Sequence, residues 1–582
     1  MVEVMINWIF ISITSYALGY VILEGLSRVL LVDTNAVKHA NVYRILLGLA
    51  AATVYAEVWS LFGPVGFWAD CVLVLVALIV LCINNTIVKT LAIKPSIHTL
   101  IYAILILVFA YGTSRGYMHF DTNLYHAQAI RWIEEYGLVP GLANLQSRFG
   151  YNSAEFALNA LYSCKWLLGR SLHCTAGYFA LISSFLLVDT RDIFLKSKNE
   201  EYELNIRVSD LLRLGLFFYL ATIYSEMLSP ASDYYAQLLI FDIIILWLDS
   251  INTEEEYALQ GILCIILVYA ITIKLSLGLL VLLALIPGIS WIRNKNIKSI
   301  IICTISGLII ALPYLIRNYI ISGWILYPST IIKLGSPDWQ LPKGEAQYDA
   351  REIGMWGRGI TSASDWEKVT MTNWIPDWIR SLPTIELMWV IGSLVAIIVI
   401  TGLVIRSITR SRRMNELGPF EDSYIPILLI LSIGTIFWFF SAPLVRYGYA
   451  YLIIMPLIVL GYILLDKDFG LAQITILSKA SLATAAFAII AIGIILLKGK
   501  NLTEDIIRVK DYPYYIHQQD YIDGDASSYE IDGITIYVAE DAGQIGYYKF
   551  PATPNKNEDI RLRGENLSQG FKKDNRHNIV SP

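Results

Sequence analysis

Five places in this chain set a charged side chain against a long apolar run, where charge is costly unless it pairs or works. The first is Asp121, in the stretch from Gly116 to His126 that follows an apolar segment and opens a helix. A carboxylate there either caps the positive helix end or serves as a general base in a cavity at the membrane surface. His119 and His126 flank it, so a His-Asp-His site for a divalent metal is the alternative, although the spacing matches no strong metal-binding pattern. Asp233 follows Ser229-Pro230-Ala231-Ser232 between two apolar runs, as a helix cap or as a second carboxylate facing the same cavity. Lys274 interrupts an apolar stretch, either snorkelling at a tight turn or presenting a point charge to a phosphate. Arg317-Asn318 opens a long polar segment, and Arg446 lies in the short turn Ser441–Gly448. The planar donor fork of Arg446 suits a phosphate, with a lipid headgroup contact as the alternative. No P-loop, GxSxG, HExxH or GxGxxG occurs in a workable context, so nothing calls for ATP, NAD or a serine nucleophile.

The elements that must position these groups follow from composition. In 582 residues the hydrophobic fraction is 56% and the charged fraction 16%, against roughly 25% charged in ordinary globular chains. That balance excludes a disordered chain and a basic nucleic-acid binder, and it leaves a polytopic membrane protein. The six cysteines all lie in or beside apolar segments, so no disulfide framework or CxxC site is visible.

Taking about 20 apolar residues per crossing, fourteen spans are expected, near 4–23, 42–62, 66–83, 97–112, 173–189, 211–228, 234–250, 257–273, 276–292, 299–315, 386–405, 424–441, 447–465 and 475–497. The expected fold is all-α, with surface helices in the first large outer loop and a small β or mixed α/β tail. Its divisions are helices in 1–112, an outer loop 113–172, helices in 173–315, a second outer loop 316–385, helices in 386–497 and a tail 498–582. Basic loops set the orientation. Lys89 and Lys94, Arg191 to Arg207, Arg293 to Lys298 and Arg406 to Arg413 fall on one side, the cytoplasmic one, and both termini lie outside. This parity requires 153–168 to be a helix at the membrane surface rather than a span. Segment 121–136 is its amphipathic companion, with Leu124, Ala127, Ile130 and Ile133 at helical spacing. In the tail, Asp532-Gly533 between two β-prone runs predicts a hairpin with a type I′ turn.

Over roughly 97–465 the layout resembles the GT-C superfamily of membrane glycosyltransferases. Asp121, Tyr125, Ala129 and Ile133 resemble the acidic start of that family's first outer loop, and a helix ending in a small residue follows at Leu161–Gly169. Asp233 resembles a later acid between spans. Pro313, Arg317, Asn318, Gly323, Tyr327 and Pro328 resemble an Arg-Asn signature, and Arg446-Tyr447 an Arg-Tyr turn. Two features depart from the pattern: four spans precede the Asp121 loop where well-known members have one, and no second acid follows Asp121.

The resemblance implies an inverting transferase in the cytoplasmic membrane. It would move a sugar from a polyprenyl-phosphate donor to a glycan, lipid or protein acceptor on the outer face. Asp121 would act on the acceptor hydroxyl, and Asp233, Lys274, Arg317, Asn318, Arg446, Tyr125 and His126 would line the substrate site. No cofactor is expected, since a monophosphate donor has less need of a divalent metal than a diphosphate. The competing readings are a lipid-linked glycan polymerase or ligase, which usually relies on outer-loop arginines, and a transporter or flippase, which predicts inverted repeats. The topology has a direct test. A cysteine replacing Ser411 should resist an impermeant thiol reagent on intact cells, while one replacing Glu540 should label strongly; strong labelling at 411 overturns the scheme.

Overall fold

A computed structural model of the chain describes residues 1–84, 97–187, 207–414 and 423–465, together with 503–574 apart from 505, 512 and 542. It is a mostly helical bundle with a small strand region at its C-terminal end. Among the described residues, eight helices are long and apolar enough to cross a membrane, beginning with Val2–Leu30 and Ala40–Ser60 and ending with Val445–Leu464. Four shorter apolar helices, Phe67–Ile83, Thr99–Ser114, Thr175–Phe185 and Ile425–Ser441, accompany them. Helix Ser232–Ser250 also has the length for a crossing, but it carries Asp233, Asp242 and Asp249. The expected span at 475–497 lies outside the described residues, as do Lys89, Lys94 and the Arg191–Lys198 part of the basic loops.

Helix Ser232–Ser250 forms the axis of the bundle. It is almost wholly buried, its polar residues included, as a helix surrounded by others must be. Its polar residues are met by neighbours: Ser183 donates to Asp242 at 2.8 Å, and Thr175 and Tyr235 share a hydroxyl bond of 2.7 Å. Helices Val2–Leu30 and Ala40–Ser60 cross at unusually short range because glycines face backbone. A Cβ on Gly19 would lie 1.6 Å from the Arg44 carbonyl oxygen, and one on Gly48 would lie 1.7 Å from that of Ser15. At one end of the bundle, Asp249 gathers Arg213, Arg207 at 3.5 Å, His39 at 3.6 Å and Lys38 at 3.7 Å. The long loops and the tail occupy the other end.

The first long loop differs from expectation. Helix Ala154–Leu161 does not lie on a surface: all eight of its residues are buried, and Ser153 before it donates to the Ile273 carbonyl at 2.7 Å. Its apolar residues face protein on every side. Only the following turn, with Trp166, Leu167 and Leu168, is exposed. The companion segment is helical, but the part from Thr122 to His126 is a wide π turn, closed by the Ala127 amide on the Thr122 carbonyl, before the regular helix Ala127–Tyr136.

The tail contains the expected hairpin. Strands β1 (Ala526–Ile531) and β2 (Ile534–Ala539) pair antiparallel, closing from Ile531 opposite Ile534 through Asp532 (φ 48°) and Gly533 (φ 84°). Strand β3 (Ala552–Thr553) adds in parallel, and β4 (Ile560–Leu562) pairs with β5 (Phe571–Lys573). The tail is joined to the bundle rather than appended to it. Gln128 donates to the carbonyls of Gly546 and Lys549, and Arg131 to those of Tyr547 and Tyr548. Met1 donates its amine to the Tyr514 carbonyl at 2.7 Å, so the start of the chain meets the start of the tail.

Gly141 marks one of the tight joints between tail and bundle. Its φ is +66°, and a Cβ there would lie 2.1 Å from the Phe571 carbonyl oxygen and 2.7 Å from Trp339 Cβ. Gly141→Ala should therefore cost about 1–3 kcal/mol, by overpacking and by left-handed strain. Thermal unfolding should show the loss, and limited proteolysis should release the tail faster than from the parent protein.

Candidate functional site

Four of the five places picked out in the sequence meet. The segment from Gly116 to Asp121 lies along the turn that precedes helix Ser232–Ser250. Gly116 permits this, since a Cβ would lie 2.4 Å from the Ser225 carbonyl oxygen. Tyr117 then donates its amide to Ser225 at 2.7 Å, and His119 donates its amide to Ser229 Oγ at 2.7 Å. This brings Asp121 beside Asp233. Neither carboxylate makes a capping bond to its own helix, so the capping role that the sequence allowed is not the one each fills.

The cations arrive from two other elements. Helix Glu256–Ile273 breaks at Lys274, whose backbone is extended (φ −145°, ψ 108°), and the ammonium group bonds Asp233. Arg446 stands in the first turn of helix Val445–Leu465. Gln237, one turn below Asp233, fixes that turn by donating to the Tyr447 carbonyl at 2.9 Å and accepting from the Ala450 amide at 2.7 Å. Gly448 lets it close on the indole of Trp438, from which a Cβ would be 2.7 Å away.

Arg446 is the centre of the cluster. Its Nη2 donates to Asp121 Oδ2 at 2.8 Å, its Nη1 bonds His119 Nε2, and its Nε lies 3.4 Å from Asp233 Oδ2. The Tyr447 ring lies between the two cations, with Lys274 Nζ 3.9 Å and Arg446 Cζ 5.2 Å from its centroid. Burial pushes the Asp121 carboxyl up, but its neighbours, Arg446 foremost, outweigh it and hold the group below its ordinary value of 3.8. His119 is pushed down, first by burial and then by Arg446. The arrangement offers two cationic donor groups for an oxyanion and a carboxylate next to them.

The remaining sequence candidates are elsewhere. Tyr125 and His126 are buried under Asp121, packed on each other at 4.3 Å and on Phe156. Burial takes His126 down to about 3, which leaves it neutral. Arg317 and Asn318 are buried and lie outside the cluster's bonds. Arg317 binds Ser60 and donates to Asn152 Oδ1 at 3.0 Å, while Asn152 donates to Asn318 at 2.8 Å. These residues tie the second loop to the first, and their fixed spacing reflects that joint. Gln237 escaped the sequence reading, although an amide in an apolar helix was a usable signal. Among the described residues no three His, Cys, Asp or Glu side chains are placed to hold a metal ion, so His119, Asp121 and His126 do not converge as ligands.

A cavity of about 520 Å³ lies away from this cluster, between the Gly63–Gly66 turn and the Glu134–Trp166 region. Its walls include Trp59, Phe67, Trp68 and Trp166, and its charges are those of Glu134, Glu135 and Lys165, which pair with one another. Aromatic residues at the ends of apolar helices are ordinary membrane-interface anchors. The charged cluster therefore carries the stronger chemical signal.

The chain belongs to the family described as "Domain of unknown function (DUF8201)". The match covers residues 1–453. It thus includes Asp121, Asp233, Lys274 and Arg446 and stops short of the tail. No curated protein and no solved structure matches the chain. The family description leaves chemistry to the cluster itself.

The cluster predicts a pH dependence. A carboxylate held below its unfolded value stabilises the fold fully above that value, and the contribution is lost as pH falls through the lower folded value. The difference in melting temperature between the parent protein and Asp121→Asn should be constant from about pH 7 to 5 and shrink below about pH 4. A difference that instead changed between pH 6 and 8 would assign the effect to another group.

Proposed function

We propose that this protein is an inverting glycosyltransferase of the polyprenyl-phosphate-sugar-dependent kind. It crosses the cytoplasmic membrane fourteen times with both termini outside, and it moves a sugar to a glycan, lipid or protein acceptor at the outer face. The observation that carries the reading is the convergence of Asp121 with Arg446, Asp233 and Lys274 from four separate segments at one end of the bundle. Charges at the rim of an apolar bundle are costly. Two carboxylates beside two cations suit a reaction that needs a base and an oxyanion site together.

In this reading Asp121 takes the proton of the acceptor hydroxyl as that oxygen attacks the anomeric carbon. The bond from that carbon to the phosphate oxygen breaks, and its electron pair leaves with the phosphate. The anomeric centre passes through an oxocarbenium-like state. Arg446 and Lys274 stabilise the charge gathering on the leaving phosphate, having been positioned before the reaction begins. Asp233 holds both cations in place, and Tyr447 presents its ring face to them. Tyr125, His126, Arg317 and Asn318 support this face from below.

Asp121→Asn tests the assignment, because Asn is nearly isosteric and keeps the site packed while a neutral amide cannot take the proton. Transfer from a polyprenyl-phosphate sugar, or restoration of the missing surface glycan in a deletion strain, should fall about 100- to 10,000-fold. Expression and melting temperature at neutral pH should shift only modestly. Retention of more than about a tenth of parental transfer overturns the role of Asp121 as base.

A further inference from the structure

The cations of the cluster are already occupied. Arg446 spends one nitrogen on Asp121 and one on His119, and Lys274 is spent on Asp233. An anion can reach them only by taking the place of a carboxylate. The two carboxylates are not equally held. Asp233 is 9% exposed and pairs with both Lys274 and Arg446, whereas Asp121 is 23% exposed and has Arg446 as its one Lys or Arg partner among the ion pairs of the described residues. Asp121 also stands at the mouth of the π turn Thr122–His126, a loosened stretch of helix of the kind that often marks functional sites. Finally, the buried Arg446 Nε faces Asp233 Oδ2 at 3.4 Å without the geometry of a hydrogen bond, so of the two carboxylates it is Asp121 that holds the guanidinium by a hydrogen bond which an entering phosphate would replace.

We infer that Asp121 is the resident counter-ion of the phosphate site, and that an entering phosphate takes Arg446 from Asp121 and so releases the carboxylate to act as base. The inference rests on the transferase reading and adds an order to it. Without donor, Arg446 holds the charge of Asp121 and the carboxylate is a poor proton acceptor. With donor bound, the guanidinium turns to the phosphate and the carboxylate faces the acceptor free of its partner. Base strength is thereby coupled to donor occupancy, and acceptor activation follows donor binding. Such coupling is reciprocal: whatever removes the charge of Asp121 must strengthen phosphate binding.

The experiment is equilibrium binding of a long-chain polyprenyl monophosphate to the full-length protein in detergent, followed calorimetrically at neutral pH. Asp121→Asn and Asp121→Ala should both bind it more tightly than the parent, by about 5- to 100-fold, the usual range of coupling between linked sites. Arg446→Ala should weaken binding at least tenfold. In Arg446→Ala/Asp121→Asn the gain should vanish, since the gain is the release of Arg446. Two Asp121 variants guard against one that fails to fold, and size-exclusion profiles report folding independently of binding. If folded Asp121 variants bind no more tightly than the parent while Arg446→Ala weakens binding, the exchange is wrong and the phosphate site stands. If Arg446→Ala binds as well as the parent, both fall. An equal gain for phosphatidylglycerol would make Arg446 a lipid headgroup anchor and overturn the exchange.

Discussion

Arg446 is the point on which one end of the bundle depends. One guanidinium reaches Asp121, His119 and Asp233, and so links the start of the first long loop to the axial helix Ser232–Ser250. Lys274 completes the neutralisation from a fourth element. Each of these charges would be expensive alone against an apolar bundle. Held together they are tolerable, and the fold that gathers them acquires a site as a consequence. The balance also limits the site: cations that neutralise carboxylates are not idle, so any anionic ligand enters in competition with the protein's own side chains.

A second polar joint supports the first without taking part in it. Arg317, Asn152, Asn318 and Ser60 form a buried network that fixes the second loop to the first. Around it pack the rings of Tyr125, Tyr151 and Tyr327, the last donating to Asp349 at 3.0 Å. Buried polar groups specify one arrangement because any other leaves them unpaired. The network thus stiffens the platform beneath Asp121, while the charged edge above remains partly open.

The tail contributes in the same sense. Asn123, in the π turn directly after Asp121, has its carbonyl met by the amides of Ile545 and Gly546 at 3.1 and 3.0 Å. Gln544 donates to the Phe120 carbonyl at 3.2 Å on the other side of Asp121. A turn without regular helical bonds needs partners for its backbone, and here they come from more than 400 positions further along the chain. The geometry of the candidate base is set partly by a segment outside the family match.

Much of this was legible before any coordinates. Apolar runs marked the helices because hydrocarbon length fixes span length, and Asp532-Gly533 marked the hairpin because a type I′ turn needs two positive φ values. Asp121, Asp233, Lys274 and Arg446 stood out because charge beside an apolar run calls for a reason. What sequence left open was who pairs with whom. The same rule flagged Arg317, which the fold uses in a buried joint, and the apolar stretch 153–168, which loop parity assigned to the membrane surface, contains a helix, Ala154–Leu161, with protein on every side. Periodicity reports how much of a helix is apolar, not whether lipid or protein covers it. Pairing across more than 300 residues, as between Asp121 and Arg446, depends on how helices pack, and only the tertiary structure decides that.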